Sequence, residues 1–202
     1  MAKVAIVYHS GYGHTAVLAQ KAAEGVRDAG GEAAVFAIEN AAQDFDPILA
    51  GVADADAILF GSPTYMGDVS AAFKAFEEAS SKVFGTAAWK DKLAGGFTVS
   101  NSTVGDKGHT IDSLSTFAGQ HGMVWVSLGI SPPAVPFAER DEATINRLGG
   151  FSGLLSQADN VSPEISPPSG DRETARLYGE RIARAAIRWA RGAAEAPVSL
   201  AA

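Results

Sequence analysis

A loop of small and polar residues follows the first apolar segment of the chain and leads directly into a segment of helical periodicity. It reads Ser10-Gly11-Tyr12-Gly13-His14-Thr15. Its two glycines let the backbone turn tightly with N–H groups pointing inward, and Ser10 and Thr15 add hydroxyl donors. With the dipole of the following helix, such a loop is typical of a phosphate cradle that needs no lysine or arginine. An ordinary tight turn with a helix cap is the structural alternative.

The spacing of this loop distinguishes it from other phosphate-binding motifs. Ala16 stands where the third glycine of the dinucleotide motif G-x-G-x-x-G would be, and no Gly-Lys-Ser/Thr of a P-loop occurs. A phosphatase built on a similar cradle needs a cysteine, and the sequence has none. A phospho-acceptor receiver domain needs acidic residues after strands 1 and 3, where Ser10 and Ser62-Pro63 stand instead. The sequence therefore argues against all four classes.

Two further loops of small and polar residues follow later apolar segments. The first contains Pro63, Thr64, Tyr65, Met66 and Gly67, and the second contains Ser100, Asn101, Ser102, Gly105 and Asp106. In the first loop, the proline restricts one dihedral angle and the flanking glycines free others, so backbone amides can approach a flat ring. The small polar side chains of the second loop suit a pyrimidine edge. Three such loops together predict a ligand with a phosphate and a flat ring.

Five short apolar runs must position these loops. They are Val4–Tyr8, Ala33–Ala37, Ala57–Phe60, Leu93–Val99 and Met123–Leu128. Uninterrupted apolar runs are typical of strands covered on both faces, as in a parallel sheet. Helical periodicity predicts helices over Ala16–Ala29, Ala71–Ala79, Ile111–Gln120 and Arg172–Arg191, the last with Asp171 as N-cap, and a weaker helix after Pro47. The alternation predicts an α/β fold with a flavodoxin-like, doubly wound, five-stranded parallel sheet of order 2-1-3-4-5, whose ligands bind at the carboxyl ends of the strands.

Length and composition favour a single domain over residues 1–192. The chain has 202 residues, of which 47% are hydrophobic and 19% charged, enough to bury a full core. Residues 80–91 and 127–170 are predicted long loops, which in a compact domain are usually functional, part of an interface, or disordered. Residues 193–202 are predicted to form a flexible tail.

The charge balance narrows the class of partner. A net charge of -7 and a sequence pI near 5.0 disfavour general binding to nucleic acid or anionic lipid. No apolar run is long enough to span a bilayer, and no basic-then-apolar leader follows Met1. We therefore expect a small-molecule partner and a cytoplasmic location.

The three loops resemble those of the flavodoxin-like FMN proteins, and among these the WrbA-type NAD(P)H:quinone oxidoreductases and related FMN reductases. The segments that carry the resemblance are Tyr8–Thr15, Phe60–Gly67, Lys92–Asn101, Gln120–Met123 and Tyr178–Glu180. The resemblance implies that FMN phosphate binds Ser10 to Thr15, while Pro63 to Met66 and Ser100 to Ser102 hold the ring and ribityl chain. Tyr65 departs from the pattern, because an arginine is frequent there in the quinone reductases.

Two residues outside the loops are further candidates by this resemblance. His121 falls where the family keeps a histidine beside the flavin, and Phe84 where the quinone reductases place an aromatic side chain against the substrate. Each has a structural alternative, because His121 could be an ordinary buried histidine and Phe84 could plug the core, as we expect of Trp89. The four histidines lack close metal-ligand spacing, so no metal site is predicted. A hydrolase built on Ser10 and His121 is disfavoured because the chain has no G-x-S-x-G elbow.

The predicted activity is FMN-dependent transfer of two electrons from NADH or NADPH to a quinone, with FMN supplying the chemistry. One alternative is a one-electron carrier of the flavodoxin type, and another is a flavin-binding regulatory module without turnover. Carriers usually cover the ring with aromatic side chains from the second and third loops, whereas Val99 to Lys107 contains no aromatic residue. This difference favours an enzyme.

The long loops also predict association between copies of the chain. They carry Phe84, Pro132, Pro133, Pro136, Phe137 and Phe151, more apolar surface than a lone domain normally exposes. Closed symmetry is the rule for soluble homo-oligomers, and the resembled family forms dimers and tetramers. We therefore expect a dimer at least, and a two-fold-symmetric tetramer as the final state. The alternative is that these loops fold back on their own domain.

Overall fold

The computed structural model of the chain describes residues 1–195. Within these residues the strands are β1 (Lys3–His9), β2 (Glu32–Ile38), β3 (Ala57–Tyr65), β4 (Asp68–Val69), β5 (Leu93–Ser100), β6 (Val124–Trp125) and β7 (Leu154–Gln157). The α-helices are α1 (His14–Asp28), α2 (Asp46–Gly51), α3 (Ala71–Ala79), α4 (Ser81–Phe84), α5 (Lys107–Gln120) and α6 (Ser169–Glu195), and a 3-10 helix spans Phe137–Glu139. None of the helices in this part of the chain has the length and hydrophobicity of a membrane span.

The strands form a parallel sheet in the order β2-β1-β3-β5-β6. β1 lies between β2 and β3, with Val4 opposite Ala33 on one side and Ala57 on the other. β4 folds back on the end of β3 as an antiparallel hairpin, in which Tyr65 lies opposite Asp68. Without this hairpin, the order along the chain is 2-1-3-4-5, which confirms the predicted flavodoxin-like topology.

Two separate segments share the last position of the sheet. β6 pairs only with the beginning of β5, whereas β7 pairs in parallel with its end, from Phe97 to Ser100. The strand predicted over Met123–Leu128 is therefore shorter than expected, and the predicted loop 127–170 contains a strand. Periodicity could not reveal β7, because two leucines followed by a serine and a glutamine are too short a pattern to separate from a loop.

The other predicted loop and the last helix also differ from expectation. Residues 80–91 are not all loop, because they contain the four-residue helix α4. α6 begins at Ser169, so Asp171 lies inside its first turn and is not the predicted N-cap. Instead, Asp171 Oδ2 accepts hydrogen bonds from Ser156 Oγ at 2.8 Å and from the Gln157 N–H at 2.9 Å. A buried carboxylate needs donors, and β7 supplies them.

α6 continues to Glu195, so the first three residues of the predicted tail 193–202 belong to a helix. The rest of that tail, residues 196–202, lies outside the described residues.

Helices cover both faces of the sheet. α1 and α6 pack on one face, with Tyr178 of α6 fully buried between them and β5. α2, α3 and α5 pack on the other face, around Phe73, Phe76 and Trp89. Because both faces are buried, the strands are apolar on successive residues. The carboxyl edge is left for the polar loops.

Candidate functional site

The three predicted loops meet at the carboxyl edge of the sheet, because the parallel strands that carry them all end there. They surround an open cleft of about 390 Å³. The loop residues that line it are Ser10, Gly11, Tyr12, His14, Thr15, Pro63, Thr64, Tyr65, Val99, Ser100 and Asn101. The structure thus brings most of the predicted cofactor-binding residues together.

Besides His121, six loop residues predicted to bind the cofactor lie outside this lining. They are Gly13, Met66, Gly67, Ser102, Gly105 and Asp106. Five of them have positive φ angles, between 51° and 90°. Such angles suit glycine and are uncommon elsewhere, so they mark positions where the chain reverses tightly. These residues shape the loops, whereas their neighbours face the cleft.

The first loop has the chemistry of an anion site. Gly13 precedes α1 with a φ of 89°, and the first turn of α1 contains no acidic residue. Ser10 Oγ accepts a hydrogen bond from the Ala16 N–H at 3.2 Å. The other N–H groups at a helix start have no acceptor within the helix, and the helix dipole adds partial positive charge there. A phosphate group fits this arrangement.

A chain of buried hydroxyl groups begins at Thr64, which lines the cleft. Thr64 Oγ1 lies 2.8 Å from Thr98 Oγ1 and 2.8 Å from Thr110 Oγ1. All three residues are buried. Their hydrogen bonds join β3, β5 and α5. The second loop is therefore held in a defined position relative to the third.

Aromatic side chains form one wall of the cleft. Tyr65 contacts both His9 and Tyr12 edge to face, with ring centroids 6.5 and 6.4 Å apart. Burial, together with the neighbouring Tyr12, raises the pKa of Tyr65, so its hydroxyl stays neutral. Burial lowers the pKa of His9 although Glu39 opposes this effect, which favours the neutral ring. This wall offers an uncharged surface for a ring.

The opposite wall comes from a segment that sequence reasoning missed. Ala158, Asp159 and Asn160 follow β7 and line the cleft. His14 Nε2 lies 2.9 Å from the Val161 carbonyl oxygen, which joins this segment to the phosphate loop. No local pattern identifies these residues, since they reach the cleft only because β7 completes the sheet.

Arg172 of α6 fixes the segment that follows this wall. Its guanidinium donates to the carbonyl oxygens of Pro163, Glu164 and Pro167 at 2.9, 2.8 and 2.6 Å. Pro163 in turn packs beside Gly13, so that a Cβ on Gly13 would lie 2.8 Å from Pro163 Cγ. The backbone of the first loop at Gly13 therefore lies close to the segment that contains Pro163.

The structure separates His121 and Phe84 from the cleft of their own chain. His121 follows the last residue of α5, which begins beside the third loop and is 14 residues long, or about 21 Å. His121 and Phe84 instead line a groove of about 680 Å³ between α3 and α5. Their ring centroids are 6.0 Å apart.

His121 has the environment of a buried histidine. Only 6% of its surface is exposed, and its ring lies 4.4 Å from that of Trp89. Its Nε2 lies 2.9 Å from Ser80 Oγ, whose own proton is directed to the Glu77 carbonyl at 2.6 Å. The ring therefore donates from Nε2. Burial lowers the pKa of His121 and keeps the ring neutral.

Carboxylates and metal-binding clusters are scarce around the cleft. Asp159 is the one carboxylate among its lining residues. Within residues 1–195 no group of three histidine, cysteine, aspartate or glutamate side chains is placed to hold a metal ion. The residues present therefore fit a phosphate and an uncharged ring.

Comparisons with known proteins agree with this geometry. The chain is 42% identical over 184 residues to a protein named Flavodoxin FldP from Pseudomonas aeruginosa, covering 91% of this chain and 96% of the relative. It is 28% identical over 206 residues to a protein named NAD(P)H dehydrogenase (quinone) from Chromohalobacter salexigens, covering 94% and 100%.

A solved structure and a family description complete the comparison. The crystal structure of a flavodoxin, WrbA-like protein from Agrobacterium tumefaciens has 40% sequence identity and a TM-score of 0.74, covering 93% of this chain and 99% of that one. Residues 3–131 match the family described as NADPH-dependent FMN reductase. With this family match and its doubly wound parallel sheet, the chain belongs to this family of flavodoxin-like proteins.

Proposed function

We propose that this chain is an FMN-dependent oxidoreductase that transfers two electrons from NADH or NADPH to a quinone. The observation that carries the proposal is the cleft itself, in which the glycine-containing loop before α1 meets two loops of small and polar residues. The relative named as a quinone dehydrogenase supports the choice of acceptor. When bound, FMN supplies a ring that accepts a hydride and passes two electrons on.

The residues of the chain have positioning roles in this proposal. Ser10 to Thr15 hold the phosphate through backbone N–H groups and hydroxyls. Pro63 to Tyr65 support the ring from one side, and Ser100 and Asn101 present polar atoms to its edge. The buried threonine chain beneath Thr64 keeps these groups in place before any substrate arrives. Catalysis then depends on orientation more than on a dedicated acid or base.

A one-electron carrier is the second candidate function, because the 42% identical relative is named a flavodoxin. Against it, Val99 to Lys107 contains no aromatic residue, so the third loop lacks a ring to cover the flavin. Tyr12 of the first loop lines the cleft and is 71% exposed.

Steady-state kinetics with NADH, NADPH and benzoquinone test the proposal. We expect FMN-dependent oxidation of the nicotinamide and parallel double-reciprocal lines, because both substrates use one ring in turn. Protein freed of FMN serves as the control and should be inactive. Tight FMN binding without nicotinamide oxidation would overturn the proposed enzyme activity and leave the carrier and the regulatory module.

We also propose that the protein assembles as a dimer or tetramer in the cytoplasm, with small molecules and not nucleic acid as its partners. Phe84, Phe137 and Phe151 are each more than half exposed. If His121 and Phe84 contribute to a flavin site, they do so at the cleft of another copy, since they lie in the groove between α3 and α5. Light scattering at micromolar concentration decides this point: a mass near 20.8 kDa with quinone reduction intact would contradict it.

A further inference from the structure

Lys107, the first residue of α5, is buried beneath the third loop. Only 1% of its surface is exposed, which is unusual for a lysine. Its Nζ donates to Ser100 Oγ at 2.8 Å, to the Ser102 carbonyl at 2.7 Å and to the Thr103 carbonyl at 3.0 Å. An ammonium group has three donors, and all three are directed at the loop.

The loop is otherwise held near its two ends. The Ala158 N–H donates to the Ser100 carbonyl at 3.0 Å, Asn101 Nδ2 donates to the Ala158 carbonyl at 3.4 Å, and the Lys107 N–H donates to the Val104 carbonyl at 3.3 Å. Residues 101–104 are exposed, and the turn that follows places both Gly105 and Asp106 at positive φ, 54° and 55°. Ser100 Oγ donates to the Ser102 carbonyl at 3.1 Å and thereby joins the contacts of the ammonium group. Because Ser100 and Asn101 line the cleft, whatever fixes this loop also fixes one edge of the cofactor site.

Two charged groups face Lys107 from other elements. Asp171 of α6 is buried, but it accepts its hydrogen bonds from residues of β7. Arg147 Nη2 lies 3.6 Å from Asp171 Oδ2. Within residues 1–195 no carboxylate lies within ion-pair distance of Lys107 Nζ. Burial lowers the pKa of Lys107 to about 8, an effect that Asp171 opposes and Arg147 reinforces.

We propose that Lys107 is a positioning residue that holds the third loop in its cofactor-binding shape, and that it does so only in its charged form. The proposal rests on FMN binding as the proposed function. A neutral amine keeps two protons for the two carbonyls and can only accept from Ser100 Oγ, so that hydroxyl gives up its own hydrogen bond to the Ser102 carbonyl. Deprotonation therefore removes one contact and loosens the loop. FMN affinity should therefore be constant below pH 8 and fall above it, by up to about tenfold per pH unit.

Lys92 provides a matched control at the other edge of the sheet. Its Nζ also bridges two backbone carbonyls, donating to Ala53 at 2.8 Å and to Ala55 at 2.6 Å. Burial lowers its pKa as well, against the opposing charges of Asp56 and Asp54. Lys92→Met therefore removes a comparable lysine clamp far from the cleft.

The experiment is FMN titration of apo-protein from pH 7 to 9.5, with amide hydrogen exchange of residues 101–106 in parallel. Lys107→Met should weaken FMN binding about tenfold or more at pH 7, remove the decline above pH 8, and speed exchange in the loop of the apo-protein. Lys92→Met should keep the wild-type affinity, pH profile and loop exchange. The wild-type profile tests the proposal even if Lys107→Met fails to fold.

Two results would overturn the inference on their own. One is a wild-type FMN affinity that does not decline between pH 8 and 9.5. The other is Lys107→Met with loop exchange equal to that of the wild type. Failure of wild-type protein to bind FMN at any pH would instead overturn the proposed function, and the exchange measurement would still report on the loop.

Discussion

Replacing Gly13 by alanine should damage the phosphate cradle much more than it damages the fold. Gly13 has a φ of 89° and immediately precedes α1. A Cβ there would lie 2.8 Å from Pro163 Cγ, closer than real Cβ contacts allow, and 3.1 Å from Pro163 Cβ, which is tighter than most. Pro163 cannot retreat freely, because the Arg172 guanidinium holds its carbonyl oxygen. The backbone of the cradle must therefore shift.

Two energies follow from this geometry. Placing alanine in a left-handed conformation costs about 1–2 kcal/mol of folding stability. A shift that removes one N–H contact to a charged phosphate costs a further 1.5–3 kcal/mol of binding, roughly a 10- to 150-fold weaker affinity. The expected result for Gly13→Ala is thus a modest loss of stability and a large loss of FMN affinity.

Gly30→Ala separates the two energies. Gly30 has a φ of 79° at the end of α1, and a Cβ there meets nothing within 4 Å. Gly30→Ala has the same cost of placing alanine in a left-handed conformation, but it does not disturb the loop from Ser10 to Thr15. Denaturant unfolding and FMN titration of both variants make the measurement. If Gly13→Ala binds FMN within threefold of the wild type while both variants lose similar stability, the close approach of Pro163 has no role in binding.

Two further predictions concern the core and the buried histidine. Tyr178→Phe removes the hydroxyl that donates to the Val126 carbonyl at 2.6 Å and accepts from the Gly96 N–H at 3.2 Å. Denaturant unfolding should therefore show a free energy of unfolding lower by about 1–3 kcal/mol. A decrease below about 0.5 kcal/mol would refute this prediction. Because burial lowers the pKa of His121 in the folded chain, the free energy of unfolding should fall as the pH drops below about 6.5, where the unfolded chain takes up the proton first. His121→Gln should flatten this decline and the same change at exposed His109 should not, whereas equal slopes in the two variants would argue against a buried neutral ring.

The sequence was sufficient for features that depend on neighbouring residues. Gly13 and the residues around it show a tight turn before a helix, because only local backbone geometry decides whether such a turn can form. Apolar runs such as Val4–Tyr8 reveal buried parallel strands, since burial on both faces selects apolar residues at successive positions. From these elements the strand order and the position of the cleft follow by topology.

Other features depend on contacts between residues that are distant in the chain. Lys107 is an unremarkable lysine in the sequence, and its three contacts exist only because α5 begins directly beneath the third loop. His121 lies in Gln120–Met123, one of the segments that carry the family resemblance. The length of α5 nevertheless places it away from the cleft, in the groove between α3 and α5.

The sequence by itself determined the fold class, the three polar loops and the edge of the sheet where they meet. Only the tertiary structure decided that Ala158 to Asn160 close the cleft and that Asp171 stabilises β7 instead of capping its own helix. The physical reason is that a backbone turn is encoded within a few residues. A wall formed by a late strand depends on hydrogen bonds and packing between segments that no local pattern connects.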